Sequence, residues 1–295
     1  MKTLTSADIT PEIWHAAGNP GHLTEAWRQA HYAAQVVSEV GKSWSTPQTD
    51  DSHSNLGWIA NDKHTGFTSH MAVTERPFQG FLSLPDLSLH LIASSGESIA
   101  KTELNGQTLA QANAWLENAA TEVGGPRRQP ATPAPDLPEH PIASGEKFNN
   151  EHADALRDLC HHYWNADNVL QKLVPLLTDA GEQRCWPHHF DHAALSIVKK
   201  DEYGQMLATV GVGFSPPDGT VDEGYWYVGP WHKTGEGVGD AWPILPHGAW
   251  RATGGAMPLG TLPLSDFAAD PSSETVCHFV AAAINACVAN LAPGD

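Results

Sequence analysis

The chain is short of cysteine, of clustered positive charge and of long apolar runs, and each shortage excludes something. Its four cysteines, Cys160, Cys185, Cys277 and Cys287, are scattered over 295 residues with no CxxC pair. That pattern specifies neither a disulfide framework nor a cysteine-based zinc site, and the thiols read as reduced and buried. Lysine and arginine number 16 against 34 aspartates and glutamates, a formal net charge of −18. The basic residues come together only as the pairs Arg127-Arg128 and Lys199-Lys200. Such a chain repels phosphate backbones and anionic lipid, so neither nucleic acid nor a membrane surface is an expected partner. The longest apolar run, VCHFVAAAINACVANLA, is interrupted by His278, Asn285 and Asn290 and reads as too short and too polar to span a bilayer. The start, MKTLTSADITPEIW, lacks the apolar centre of a secretory signal, and the expected location is the cytoplasm. No HExxH, GxSxG or complete phosphate-binding loop occurs. The segment KTGEGVGD, residues 233–240, has closely spaced glycines without a strand–turn–helix context and reads as a flexible loop.

What is present is a globular composition, 41% hydrophobic and 17% charged, long enough for two modest cores. Six prolines between Pro126 and Pro141 mark residues 124–148 as a linker or surface crossing. This divides the chain into an N-terminal half, 1–123, and a C-terminal half, 149–295. In the first, a helix over LTEAWRQAHYAAQVVSEVGK is expected to carry Thr24 as its cap and Gly41 as its stop. Strands follow at NLGWIA and TGFTSHMA, then in FQGFLSLPDLSLHLIAS, where Pro85 suggests an edge or bulge. ESIAKTEL and the helix QTLAQANAWLENAATEV complete the half. In the second, a helix from Asn150 precedes strands at DHAALSIVKK, QMLATVGVGF, EGYWYVGPW and AWRATGGAMPL, and SSETVCHFVAAAINACVANLA closes the chain as a helix. Strands in runs, not alternating with helices, predict an α+β fold with antiparallel sheets, here two similar helix–strands–helix halves packed together.

The 17 histidines and 11 tryptophans favour a pocket, and RCWPHHFDHAALSIV, residues 184–198, concentrates both types. If 188–197 is extended, His188, Phe190 and His192 share one face and His189 and Asp191 the other. His189 with Asp191 is then the best candidate pair, whereas His188 and His192 lie about 13 Å apart on a strand. On a helix those two would be four residues apart and able to share an ion, with Pro187 in the first turn. The hairpin turn KKDEYG favours the strand. The candidate catalytic residues are His189, Asp191 and His192. The candidate metal ligands, for a divalent ion such as zinc, are His188, His189, Asp191 and His247, although a zinc site asks for three or four ligands. Trp186, Tyr225, Trp226 and Trp250 are candidate pocket walls. Each has a plainer reading: imidazoles bonded to backbone carbonyls, and aromatics filling a core.

Two short patterns, His31 and Gln35 leading to Gly41-Lys42, and Phe190-Asp191-His192-Ala193, resemble a family of uncharacterised bacterial proteins with a Phe-Asp-x-Ala motif, a domain of unknown function. The resemblance implies an intracellular α+β protein and carries no catalytic roles. Two functional readings stand beside each other. One is an enzyme acting on a small polar molecule through a His/Asp site, by acid–base or metal-assisted chemistry, in an aromatic-lined pocket. The other is a non-catalytic protein that binds a small molecule or a protein partner, its histidines structural. An enzyme requires several of these groups to converge on one reacting atom.

Overall fold

The computed structural model describes residues 3–16, 20–127, 134, 137–235, 238–255, 257–269 and 271–291. The centre of the proline-rich linker, 128–133 and 135–136, and residues 236–237 of the glycine loop lie outside the described residues. The chain is α+β, with two antiparallel sheets and their helices. Its two compact units do not coincide with halves set by the linker. Unit 1 comprises Met1–Gly21, His162–Gln183 and Asp191–Asp295, and unit 2 comprises His22–His161 and Arg184–Phe190.

In unit 2, strands β1 (Gly57–Ala60), β2 (Thr65–Thr68), β3 (Phe78–Ser83), β4 (Ser88–Ala93) and β5 (Ser98–Glu103) form a meander in sequence order. The run from Phe78 to Ser94 is two strands, not one. Pro85 sits in the turn between them, and Leu87 has a left-handed φ of 47°. Helix α2 (Leu23–Trp44) packs on β2 and β3 and against α3 (Leu109–Glu122). Its N-terminal flank is His22, not Thr24, and it runs past Gly41. Gly41 is a packing residue: a Cβ there would lie 2.0 Å from the His53 carbonyl oxygen. Gly80 likewise admits Val37 and Val40 of α2 onto β3. The short strand β6 (Arg184–Trp186) is held by Cys185, which exchanges both backbone hydrogen bonds with Leu56, at 2.9 and 2.8 Å. This long-range bridge is what places 184–190 with the N-terminal part of the chain.

In unit 1, strands β7 (Asp191–Lys200), β8 (Met206–Ser215), β9 (Tyr225–His232), β10 (Ala249–Arg251) and β11 (Leu259–Pro263) lie in the order β10-β11-β9-β8-β7. The stretch from Ala249 to Leu259 is therefore not one strand, and its two ends belong to paired strands. Register puts His192, Ala194, Val210, Val212, Phe214, Trp226, Val228 and Leu262 on one face, all buried. Burying each large apolar side chain here stabilises the fold by about 1.5–3 kcal/mol. Helix α4 spans Ala153–Leu173, and helix α5 (Ser273–Leu291) covers β8 and β9 through Val276, Val280, Ile284, Cys287 and Leu291, spaced at the helical repeat. Its length and apolarity do reach those of a membrane span, contrary to the sequence reading, but 61% of its most apolar stretch is buried inside the protein. Helix α1 (Ser6–Ile9) packs on α5, and Asn285 fixes the chain ahead of it by bonding both backbone groups of Leu4.

Candidate functional site

The stretch that concentrates histidine is not extended from 188. Residues 187–190 form a turn between β6 and β7, and the amides of His189 and Phe190 both donate to the Trp186 carbonyl. Phe190 closes the turn with φ of 58°, a left-handed conformation that costs a bulky L-residue about 1–2 kcal/mol. The expected alternation of faces therefore fails between His188 and Asp191, and the pairing of His189 with Asp191 on one strand face is withdrawn. Strand periodicity begins only at Asp191.

Unit 2 supplies what holds the turn. His31 and Gln35 lie one turn apart on the buried side of α2, and both donate to the Pro187 carbonyl oxygen. For His31 the distance is 2.8 Å, and because a carbonyl only accepts, the ring proton is on Nε2. The same logic fixes the Gln35 amide, whose nitrogen also donates to the His31 carbonyl at 3.3 Å. Its Oε1 is buried with no hydrogen-bond partner among the described residues. The Phe190 ring, turned inward by the left-handed backbone, stacks on His31 at 5.2 Å and meets Phe67 of β2 at 5.2 Å. Burial pushes the His31 imidazole down to about 4; the bond to the Pro187 carbonyl opposes this, and charge on His189 and His188 adds to it. His31 is thus neutral near pH 7, a positioning group beneath the turn. Above it, the His188 and His189 rings lie 4.3 Å apart, with His188 edge-on to Trp186 at 6.0 Å. His189 is exposed, and His188 and Trp186 are partly so.

In unit 1 the remaining candidates are distributed over both faces of the sheet. His192 points into the core, completely buried, with Nε2 3.0 Å from the Asp167 carboxylate, which also accepts from Gln171 and Gln183. His192, a candidate catalytic residue from the sequence, is a core residue here. Asp191 is on the opposite face and accepts the Tyr227 hydroxyl at 2.5 Å. Tyr227 is paired with Gly213 of β8, and its ring passes beside Gly211 of that strand to reach β7. Tyr225, on the same face, donates to Asp218 at 2.6 Å, and burial and that carboxylate both raise its phenol above the usual range. Tyr225 and Trp226 point to opposite faces of β9. Trp226 lies against Phe214 and borders a small cleft with His15 and His162 that has about 20 Å³ of space, room for a water or two. Trp250 lies over Gly260, edge-on to Trp242, with its indole N–H donating to the Pro243 carbonyl. The expected single aromatic wall is therefore not built by Tyr225, Trp226 and Trp250.

The metal reading also fails on geometry. Among the described residues, no three His, Cys, Asp or Glu side chains are grouped to hold an ion, and His247 stacks on His278 instead. The four cysteines are buried and form no disulfide; burial raises Cys277 to about 11 and Cys287 to about 12, so those thiols stay protonated. In the sequence His31 falls on the apolar stripe of the first helix with Leu23, Trp27, Ala34 and Val37, and Gln35 stands out only through the resemblance. Two polar residues four apart on the apolar stripe of a helix were the available signal that they face a specific partner. No family model, curated protein or solved structure matches the chain.

Proposed function

We propose that this protein is an intracellular enzyme acting on a small polar molecule at the Trp186–Phe190 turn, with His188 and His189 as its proton-transfer pair. The observation that carries this reading is the way the turn is held. Two buried donors of α2 converge on one carbonyl, and a strained Phe190 is locked between two rings, all to present two adjacent imidazoles at the surface. Strain of this kind persists where the surroundings over-determine it, and it concentrates at functional sites. Adjacent imidazoles suit acid–base work, because imidazole is the side chain that both gives and takes a proton near neutrality. Trp186 offers a flat apolar edge beside them for the body of a substrate. Asp191, next in the chain after Phe190, is committed to Tyr227 and supports the strand end.

One observation favours the non-catalytic reading. The rings of His22, His31, His64, His70, His140 and His192 are each hydrogen-bonded to another group of the protein, as structural histidines should be. The two readings separate in a turnover screen with p-nitrophenyl esters and p-nitrophenyl phosphate as probes, run on the parent chain, His188→Ala and His189→Ala. Turnover that falls at least about a hundredfold in either variant, the usual contribution of a general acid or base, supports the enzyme. Absence of turnover, or turnover indifferent to both substitutions, supports the binding protein.

A further inference from the structure

The outer end of the unit 1 sheet holds a feature unconnected with the histidines. Gly219, Thr220, Arg251, Ala252 and Thr253 line an open bay of about 460 Å³. Arg251 is the last residue of β10, and its Nε donates to the Thr261 hydroxyl at 2.9 Å. Thr261 is fully buried and passes its own proton to the Ala249 carbonyl, so its oxygen is available as an acceptor and the guanidinium plane is fixed. That contact uses Nε and leaves the two terminal nitrogens of the fork for the bay.

A guanidinium has abundant carboxylates to choose from in a chain with 34 acidic and 16 basic residues, yet Arg251 pairs with none among the described residues. Of the three acids nearest in sequence to Thr220, Asp218 and Glu223 are engaged by neighbouring backbone and hydroxyl donors, and Asp222 has no hydrogen bond or ion pair among the described residues. Asp218 accepts the amides of Thr220 and Val221 and the Tyr225 hydroxyl, and Glu223 accepts the amide and hydroxyl of Ser265. Thr220 and Thr253 line the same space and each carries a hydroxyl. Arginine presents paired donors that match carboxylate and phosphate oxygens, and hydroxyls add single bonds to the same groups.

We infer that this bay binds the oxyanion of a small molecule, a phosphate or carboxylate group seated on the Arg251 fork with Thr220 and Thr253 beside it. The bay is larger than the anion alone, which leaves room for the body of the ligand. A net charge of −18 repels anions elsewhere on the surface, so binding at this point is a local property of Arg251.

The test is titration of the full chain with inorganic phosphate and, separately, acetate, by calorimetry at constant ionic strength against chloride. Saturable binding of either is expected, phosphate alone indicating a phosphoryl ligand and acetate alone a carboxylate. Arg251→Gln should weaken it at least tenfold. Arg251→Lys should retain part of it, since a point charge replaces the fork. Thr261→Val, which frees the guanidinium plane, should weaken it severalfold without removing the charge. No saturable binding of either anion, or binding unchanged in Arg251→Gln, would overturn the inference.

Discussion

His188, His189 and His192 stand within five residues of one another and have opposite circumstances. His192 is sealed in the unit 1 core against Asp167, whose carboxylate is shared with two glutamines. His188 and His189 sit on a turn of unit 2 with their rings against each other and outward, and the group that anchors them, His31, is the buried one. The same side chain is a core strut in one place and a presented acid–base group in the other. Burial and partner decide between them, not residue type or local density. A histidine-rich stretch is therefore a mixture, and its backbone conformation sorts the members.

The contrast can be broken most forcefully from the buried side. Asp167→Ala leaves the His192 ring and two glutamine amides without their common acceptor. Leaving a buried polar group unpaired costs about 1–3 kcal/mol, so urea unfolding should show a loss at the upper end of that range, with three donors orphaned at once. A loss below about 1 kcal/mol, the scale of an exposed pair, would show that His192 is not a strut.

Acid probes the anchor. His31 has its folded value pushed down to about 4 from an ordinary 6.5. The unfolded chain then takes up the proton first as pH falls. The stability that a neutral His31 contributes is complete above about pH 6.5 and is lost progressively down to about pH 4, on the order of 3 kcal/mol in all. His31→Leu should flatten this part of the stability–pH curve measured by urea unfolding. An unchanged slope between pH 6.5 and 4 would place the titration elsewhere.

Gln35→Leu removes one of the two donors to Pro187 but also an unpartnered buried acceptor, so the costs offset. A loss of about 1 kcal/mol or less is expected, with the turn loosened and detectable as faster amide exchange of His189 and Phe190. Exchange at these two amides unaltered from the parent would mean His31 alone anchors the turn. The smallest effect on stability belongs to His188→Ala and His189→Ala, within about 0.5 kcal/mol of the parent, as for surface positions generally. A large destabilisation by either would make the pair structural and remove the basis of the proposed chemistry.

Much of the fold was legible because its elements carry simple periodicities. DHAALSIVKK coincides with β7, and the helix and strand order of both regions follows from apolar spacing and turn residues. The failures occurred where local pattern and long-range contact compete. Gly41 looks like a helix stop, but the chain needed room there for the His53 carbonyl. Leu82 to Leu84 and Leu87 to Leu91 each alternate, and the change of phase between them at Pro85-Asp86, which reads equally as a bulge, is the turn. The strand assigned to 188–190 failed for a subtler reason. Nothing in the identity of Phe190 announces a left-handed backbone; the contacts from His31, Gln35 and Phe67, distant in sequence, impose it. The compact units were illegible for the same reason, since the Leu56–Cys185 bridge has no local signature.

Site-resolved modification by diethylpyrocarbonate, read by mass spectrometry at neutral pH, tests the central claim most directly, because the reagent needs an accessible, unprotonated imidazole. His188 and His189 should react at least about tenfold faster than His31 and His192, which are reached only through local opening. Modification of His31 or His192 at the rate of the turn histidines would contradict it.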